Sequence, residues 1–246
     1  MCETVERVDR VMAEIQVLVF SKDRPLQLDG TLCSFFAHCL DPQNVVVRVL
    51  YKASSAVSHS LYRQVMREHE HVAFVEENDF RKDVLFLLSL HEWVVFLVDD
   101  NIFIRDFSLS ELADRTQSCP DALGFSLRLG ANATYCYALN KIQHLPDFEA
   151  VSESILKYRW TGAECDFGYP LEVSSSLYRT ADILPVVRDI AFSNPNTFEA
   201  ELSRQTVRFQ DSHPVLLCSP QSLTFCAPIN LVQQVCGNRV GGRTEY

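Results

Sequence analysis

Residues 15–36 read IQVLVFSKDRPLQLDGTLCSFF and contain one complete structural unit. Residues 15–20 form a short apolar run rich in β-branched side chains, which is typical of a strand buried on both faces. The polar residues 21–25 end this run. Apolar side chains then recur at helical spacing over 28–39, until Asp41 is followed by a proline. The stretch therefore predicts a strand, a polar loop and a helix in succession.

The same alternation continues through the first half of the chain. The further predicted elements are, in order, a strand at 45–51, a helix over 57–65, a strand at 71–75, a helix from Asn78 or Asp79 to about 91, and a strand at 94–98. Strands that alternate with helices form right-handed β-α-β units and a mainly parallel sheet. We therefore expect an α/β fold whose ligands bind beyond the carboxyl ends of the strands.

The second half of the chain has a less regular pattern. Its predicted elements are a helix opened by the capping box at 108–111, strands at 122–127 and 171–179, helices at 180–190 and 196–204, and a late strand or hairpin at 214–228. No internal repeat or linker interrupts the chain, so we expect residues 1–246 to form a single domain.

Composition excludes several classes of partner. The 246 residues include 22 Lys and Arg against 32 Asp and Glu, a formal charge of −10, which argues against nucleic acid or anionic lipid. Nine scattered cysteines without a C-x-x-C pair indicate reduced core thiols. No apolar run approaches the ~20 residues of a membrane span, and no signal-peptide pattern is present. These observations predict a cytoplasmic protein with no integral membrane segment.

Common catalytic motifs are missing. The chain has eight glycines and contains neither G-x-G-x-x-G nor G-x-x-x-x-G-K-[ST], and neither G-x-S-x-G nor H-E-x-x-H. This argues against dinucleotide oxidoreductases, P-loop enzymes, elbow-type serine hydrolases and zincins.

Two adjacent acids follow the predicted strand at 94–98. Neighbouring carboxylates at the end of a buried strand repel each other unless a cation or hydrogen-bond donors compensate them. Mg²⁺ and Mn²⁺ supply that compensation and share oxygen ligands with phosphates. Because successive residues point in opposite directions, Asp99 and Asp100 would face different groups. The alternative is ordinary turn chemistry at a strand end.

Four segments resemble the GT-A-fold glycosyltransferases that use nucleotide-diphospho-sugars, in particular those of the family-2 type. They are FSKDRP at 20–25, VDDNIF at 98–103, the loop and strand at 160–170 and 176–179, and FEAEL at 198–202. The second segment has Asn where a D-x-D motif has its last Asp, and the fourth lacks the usual Glu-Asp pair. The resemblance implies a GT-A-like three-layer sandwich. In it, a Rossmann-like nucleotide-sugar-binding half at about 12–105 precedes an acceptor half at about 106–236 and a flexible tail at 237–246.

The resemblance also implies an activity and its residues. The protein would be a metal-dependent glycosyltransferase that moves a hexosyl or related sugar from a nucleotide diphosphate to an unidentified glycan, lipid-linked sugar or protein. Mn²⁺ or Mg²⁺ would bind Asp100, with Asn101 or His213. The donor would contact Phe20, Ser21, Lys22, Arg24, Tyr51, Arg81, Lys82 and Asp99, the last through its ribose.

An acceptor-side carboxylate would take the acceptor proton if the reaction inverts, and Glu199 or else Asp166 is implied. A retaining reaction would not need this base. Simpler interpretations also exist: Glu199 as part of a capping box led by Asn196, Asp166 as a loop acid, and His213 as a surface residue.

Two other functions stay open. A sugar-phosphate nucleotidyltransferase would need a glycine-rich first loop, which residues 21–25 do not provide. A non-catalytic interaction module is compatible with Asn101 and with the missing Glu-Asp pair.

Overall fold

The computed structural model describes residues 15–228. Within them the elements are, in chain order, β1 (Ile15–Lys22), α1 (Pro25–His38), β2 (Val45–Lys52), α2 (Ala56–Glu68), β3 (Ala73–Glu76), α3 (Phe80–Leu88), β4 (Trp93–Val98), β5 (Asn101–Phe103), α4 (Leu109–Gln117), β6 (Ala122–Ser126), β7 (Tyr135–Cys136), β8 (Lys141–Ile142), β9 (Phe148–Ser152), β10 (Ile155–Arg159), β11 (Ser176–Arg179), α5 (Thr180–Asp189), α6 (Pro195–Ser203), β12 (Val215–Cys218) and β13 (Thr224–Cys226). Short 3-10 turns lie at Pro42–Asn44, Cys165–Gly168 and Thr206–Arg208.

One sheet joins strands from both predicted halves. Its order is β3-β2-β1-β4-β11-β6-β12-β10-β9, and a smaller sheet pairs β5 with β13. Strands β1 to β4 are parallel, β11 runs antiparallel between β4 and β6, and β12 is parallel to β6. The ends of β1, β2, β4, β6 and β12 therefore meet the start of β11 at one edge, which we call the carboxyl edge. This is where parallel sheets bind ligands.

Helices cover both faces of the sheet. Successive side chains of β1 alternate: Val17 and Val19 pack with α1, α2 and α4, whereas Leu18 and Phe20 pack with α3, α5 and α6. All four are almost fully buried, as expected for a strand covered on both faces. The fold class predicted from the sequence, a three-layer α/β sandwich with a mainly parallel sheet, is confirmed.

The second half differs from its prediction in detail. The predicted strand at 171–179 is confined to Ser176–Arg179, because Glu172 instead accepts hydrogen bonds from Ser174 and Ser176. The late segment is no hairpin, since β12 and β13 belong to different sheets. The hairpins β7–β8 and β9–β10 were not predicted.

The cap of α6 also differs from the alternative that was considered for Glu199. Asn194, not Asn196, is the capping residue: its side chain accepts a hydrogen bond from the backbone N–H of Thr197, and the Thr197 hydroxyl accepts one from the Asn194 N–H. Glu199 therefore has no part in the cap.

The seven described cysteines are all free, and Cys33 is exposed rather than part of the core. Among residues 15–228, no helix combines the length and the apolar character needed to cross a bilayer. The predicted tail at 237–246, and residues 229–236 of the predicted acceptor half, lie outside the described residues.

Asp41 fastens the start of α4 to the connection that leads into β2. Its buried carboxylate accepts hydrogen bonds from the Ser108 hydroxyl at 2.9 Å and from the backbone N–H groups of Leu109 at 3.0 Å and Ser110 at 2.8 Å. Burial acts to raise the pKa of Asp41, but these hydrogen bonds outweigh it and hold the pKa below its ordinary value.

We predict that Asp41→Asn lowers the free energy of unfolding by about 1–3 kcal/mol at neutral pH, because an amide cannot accept all three bonds. A depressed pKa stabilises the fold above the ordinary pKa of 3.8, and this contribution is lost as the pH falls through the folded-state value. Urea unfolding at about pH 7 and about pH 3 should show the difference shrinking at the lower pH.

Asp114→Asn is the matched control, because Asp114 is an exposed acid on α4, the helix whose start Asp41 holds. An equal effect of both substitutions, or a difference for Asp41→Asn that is independent of pH, would contradict the assigned role of Asp41.

Candidate functional site

The turn after β4 places two acids at the carboxyl edge. Asn101 closes this turn: its side-chain oxygen accepts the Val98 N–H at 2.8 Å and its amide nitrogen donates to the Cys226 sulfur at 3.4 Å. With both polar atoms engaged and 0% of its surface exposed, Asn101 shapes the turn. The structure thus gives Asn101 a role in the turn, and its binding of a metal stays a prediction.

Arg24 clamps both acids. Its Nη1 lies 2.8 Å from Asp99 Oδ1 and its Nη2 lies 2.9 Å from Asp100 Oδ2, and all three side chains are buried. The planar guanidinium offers its donors as a fork, so one cation serves two carboxylates. Even so, burial raises the pKa of Asp99 to about 7, with Arg24 opposing this shift and Asp100 adding to it.

The loop that follows β1, together with Ser21 and Lys22 at the end of that strand, is braced against α2 and the turn after β4. The Ser21 hydroxyl is 2.7 Å from the Tyr62 hydroxyl, and the Lys22 N–H donates to Asp99 Oδ2 at 3.3 Å. Asp23 adopts a left-handed conformation, with φ 53°. Its carboxylate accepts from the Ser54 N–H at 2.7 Å and the Ser58 hydroxyl at 2.8 Å. The loop thus joins three elements at the carboxyl edge.

Of the two aromatic residues predicted to contact the donor, one lies at the carboxyl edge and the other lies in the core. Tyr51 lies beside Ser21 at the end of β2, with its ring 4.7 Å from that of Tyr62. Phe20 points away from this loop, into the core, where its ring is 5.3 Å from Phe80 and 6.2 Å from Phe198. The prediction for Phe20 is therefore wrong, because alternate residues of a strand face opposite layers.

Two other predicted contacts lie elsewhere. Arg81 donates to the carbonyls of Ile190 at 3.0 Å and Arg188 at 2.7 Å, so it joins α3 to the end of α5. Lys82 is exposed and pairs with Asp79 at 2.8 Å. Neither has a contact with the two acids among the described residues.

His213 lies at the opposite end of the sheet from the acids. It precedes β12, whose first residue Val215 is paired with Ala122 at the start of β6, and its ring is 3.9 Å from Asp182. The prediction that His213 completes a metal site is wrong, because β12 runs parallel to β6 and only its far end reaches the carboxyl edge.

A second charged cluster occupies the carboxyl edge beyond β11. Arg128, which follows β6, pairs through Nη1 with Asp166 Oδ1 at 3.2 Å, and its Nε is 3.6 Å from Glu172 Oε2. Glu172 is buried and accepts the Ser174 N–H at 2.9 Å. Burial alone would lower the pKa of Arg128, but Glu172 and Asp166 outweigh it and raise the pKa. The guanidinium is therefore firmly charged.

Glu199 lies in the first turns of α6, next to this cluster. Phe198 anchors the helix, with its ring 5.5 Å from Phe96 and 4.5 Å from Phe192. Glu199 is half-buried, and the Tyr169 hydroxyl acts to favour its charged form. Burial and the nearby charge of Glu172 raise the pKa of Glu199 to about 7. A carboxylate of this kind suits proton transfer near neutral pH.

Cys226 connects the two clusters. Burial raises the pKa of its thiol to about 12, and the charges of Asp100, Glu172 and Glu199 act in the same direction, opposed by Arg128. The charges of acids from the turn after β4, from the segment before β11 and from α6 therefore all act on this one side chain. The paired acids and the Arg128 cluster share one region, which we call the carboxyl-edge site.

Sequence reasoning missed several residues of this region. Arg128 follows the predicted strand at 122–127, so the strand-end rule that selected Asp99 and Asp100 would also have selected it. Glu172 obeys no such rule, because it lies in an irregular segment, and Cys226 ends β13, whose pairing with the short strand β5 the sequence does not reveal.

No protein-family model matches the chain. Over 262 residues the chain is 29% identical to the bifunctional glycosyltransferase pgtA of Dictyostelium discoideum. The match covers 94% of this chain but only 34% of the relative, so the chain spans about a third of that protein's length.

Two solved structures are similar in fold. TarS residues 1–349 from S. aureus superpose with a TM-score of 0.54 at 14% identity, covering 87% of this chain and 60% of that one. The mannosyltransferase PcManGT from Pyrobaculum calidifontis, solved with GDP-Man and Mn²⁺, gives 0.55 at 14% identity, covering 89% and 58%. The chain has the GT-A-like fold of nucleotide-sugar glycosyltransferases, which confirms the resemblance inferred from the sequence.

The geometry of Arg24 leads to a stability prediction. Arg24→Met leaves two adjacent buried carboxylates without their counter-ion, which should lower the free energy of unfolding by about 3–5 kcal/mol. The double variant Arg24→Met/Asp99→Asn should recover part of this loss because it removes one of the two charges. Urea unfolding measures both effects.

Arg204→Met is the control, since Arg204 makes an exposed ion pair with Glu201 on α6 and such pairs contribute about 0–1 kcal/mol. A double variant no more stable than Arg24→Met alone would show that charge repulsion between the acids is not what Arg24 relieves.

Proposed function

We propose that this chain is a glycosyltransferase that moves a sugar from a nucleoside diphosphate to a hydroxyl-bearing acceptor at the carboxyl-edge site. The observation that carries this proposal is the pair of buried acids at the end of β4, held beside the loop at the end of β1. The name of pgtA, and the nucleotides in the similar structures (UDP with TarS, GDP-Man with PcManGT), support it.

The donor is expected to bind at the end of β1. Ser21 and Tyr51 lie side by side at the ends of neighbouring strands. Lys22 is exposed beside them and has the charge to meet a diphosphate. Asp99, fixed by Arg24 and by the Lys22 N–H, would accept a hydrogen bond from a hydroxyl of the ribose or the sugar.

The chemistry of the paired acids fits a divalent cation. Asp99 and Asp100 supply only carboxylate oxygens, the ligands that Mg²⁺ and Mn²⁺ prefer. We propose that Asp100, with Asp99 beside it, would hold the ion, which would neutralise charge on the departing nucleoside diphosphate. Arg24 keeps the two carboxylates close together and already contacts Asp100 Oδ2, so it would share the carboxylate with the ion.

Glu199 is the better of the two candidate bases for an inverting transfer. Its pKa, raised to about 7 by burial and by Glu172, makes it a stronger base than an ordinary carboxylate. Asp166 instead forms an ion pair with Arg128, so its carboxylate already has a partner. Arg128, Asp166 and Glu172 would then position the acceptor beside Glu199.

We predict that kcat rises as the pH increases through about 7, because Glu199 must lose its proton before it can accept one. Glu199→Gln should lower kcat by about 10²–10⁴-fold and leave only the pH dependence that comes from Asp99, whose pKa is also raised to about 7, while donor affinity changes little. Initial rates of sugar transfer between about pH 5.5 and 8.5 test both expectations.

Glu201→Gln is the matched control, because Glu201 lies on the same helix and pairs with Arg204 at the surface. If Glu199→Gln retained normal kcat and pH dependence, Glu199 would not be the base.

The central experiment is calorimetric titration with UDP, GDP, CDP and dTDP, with and without Mn²⁺. We expect one of these nucleotides to bind, and to bind at least about tenfold more weakly after removal of the ion or in Asp100→Asn. Asp106→Asn, which changes an exposed acid paired with His38, should bind normally. Failure of all four nucleotides to bind would overturn the proposal.

Assays of the same purified protein distinguish the two alternative functions, a nucleotidyltransferase and an interaction module. Release of pyrophosphate from a nucleoside triphosphate and a sugar phosphate would indicate a nucleotidyltransferase. A folded protein that binds no nucleotide would indicate the interaction module, with Arg24 as the permanent counter-ion of the two acids. The cytoplasmic location stays a prediction, to which the free state of the described cysteines adds support.

A further inference from the structure

A second group of potential ligands lies between α1 and α2, away from the proposed transferase site. Asp29 and Cys33 are one turn apart on α1, and His69 directly follows α2. One ligand atom from each of the three, a carboxylate oxygen, a thiol sulfur and an imidazole nitrogen, lies within 4.8 Å of the other two. We call this group the Cys33 cluster.

The geometry of the cluster argues against a nucleophile-base-acid relay. His69 Nε2 is 2.8 Å from Asp29 Oδ1 and 4.0 Å from Cys33 Sγ, so both partners approach the same ring nitrogen. In a relay the acid would hold one ring nitrogen and the nucleophile would face the other. Because Asp29 Oδ1 and Cys33 Sγ are themselves 3.7 Å apart, the three atoms converge on one point.

Convergence of this kind suits a metal ion. Zinc bonds of about 2.3 Å to sulfur and about 2.0 Å to nitrogen or oxygen place neighbouring tetrahedral ligands roughly 3.3–3.6 Å apart. The observed separations of 2.8, 3.7 and 4.0 Å depart from that spacing by about half an ångström. Rotation of the half-exposed Asp29 and the exposed Cys33 is enough to close the difference.

The types of ligand select the class of ion. Thiolate and imidazole favour Zn²⁺ and related transition metals over Mg²⁺ and Mn²⁺, which prefer oxygen. One thiolate and one carboxylate also neutralise a dication. We propose that the Cys33 cluster binds Zn²⁺ through Asp29, Cys33 and His69, with water in the fourth position. On binding, the Cys33 thiol proton is released to solvent as the sulfur–metal bond forms.

The location gives such an ion a structural consequence. Helix α1 begins directly after Arg24, and α2 carries Tyr62 and Ser58, which hold the loop at the end of β1. A metal joining α1 to the end of α2 would therefore fasten the two helices that support this loop. Binding should stabilise the folded chain increasingly as the metal concentration rises.

The test is titration of the metal-free full-length chain with Co²⁺, which replaces Zn²⁺ and absorbs light when bound to thiolate. We expect a sulfur-to-cobalt charge-transfer band that saturates at one equivalent and disappears when Zn²⁺ is added. Cys33→Ser should lose the band, and Asp29→Asn should weaken Co²⁺ binding at least about tenfold, since even second-shell partners contribute that much. Cys119→Ser, outside the cluster, should keep the band.

Two further measurements make the outcome unambiguous. Asp100→Asn should keep the band, because the proposed transferase ion binds oxygen ligands only. Zn²⁺ should raise the Tm of the natural sequence but not that of Cys33→Ser or Asp29→Asn. Absence of the band in the natural sequence, or an undiminished band in Cys33→Ser, would overturn this proposal and leave the nucleotide titration unaffected.

Discussion

The double ion pair of Arg24 is the contact on which the carboxyl-edge site depends. Adjacent acids at the end of a buried strand are unfavourable, because each loses hydration and each repels the other. One guanidinium removes both problems at once, since its two terminal nitrogens reach Asp99 and Asp100 separately. The residues on either side of Arg24 fix its position for this contact. Asp23 turns the chain in a left-handed conformation directly before Arg24, and Pro25 begins α1 directly after it, so the arginine is fixed from both sides.

A second constraint is the aromatic packing that places α6. Phe20, Phe96 and Phe198 lie within about 6 Å of one another across the sheet and helix layers. Phe20 was predicted to face the donor, yet its position in the core has a consequence for the site. It supports the helix residue next to Glu199, and so brings an acid from the irregular half to the edge where β1 and β4 end. This aromatic packing thereby fixes the position of Glu199, the proposed base.

Features set by neighbouring residues were predictable from the sequence, whereas features set by contacts between distant segments were not. Alternating strands and helices, the carboxyl ends of β1 and β4, and a cap of α3 at Asn78 or Asp79 depend on neighbouring residues and were predicted; the cap is Asp79. The error over His213 arose because the sequence does not reveal which edge of the sheet a late strand starts from. Glu172 could not be identified, because its burial depends on Arg128 and on serines in an irregular loop. The role of Asn101 in the turn was not recognised, because the same oxygen chemistry serves a turn and a metal.

The balance of charge at the carboxyl-edge site bears on what can bind there. Asp99, Asp100, Asp166, Glu172 and Glu199 supply carboxylates, whereas the buried Arg24 and the half-buried Arg128 supply positive charges. Both arginines already pair with these acids, and the pKa values of Asp99 and Glu199 stay raised, mainly by burial and further by the neighbouring acids Asp100 and Glu172. A diphosphate would add further negative charge to this region. Lys22 at the surface offers an additional cation. The proposed binding of a diphosphate at this edge would therefore be favoured by another positive charge between the acids and the phosphates, and this is the physical argument for the proposed divalent cation.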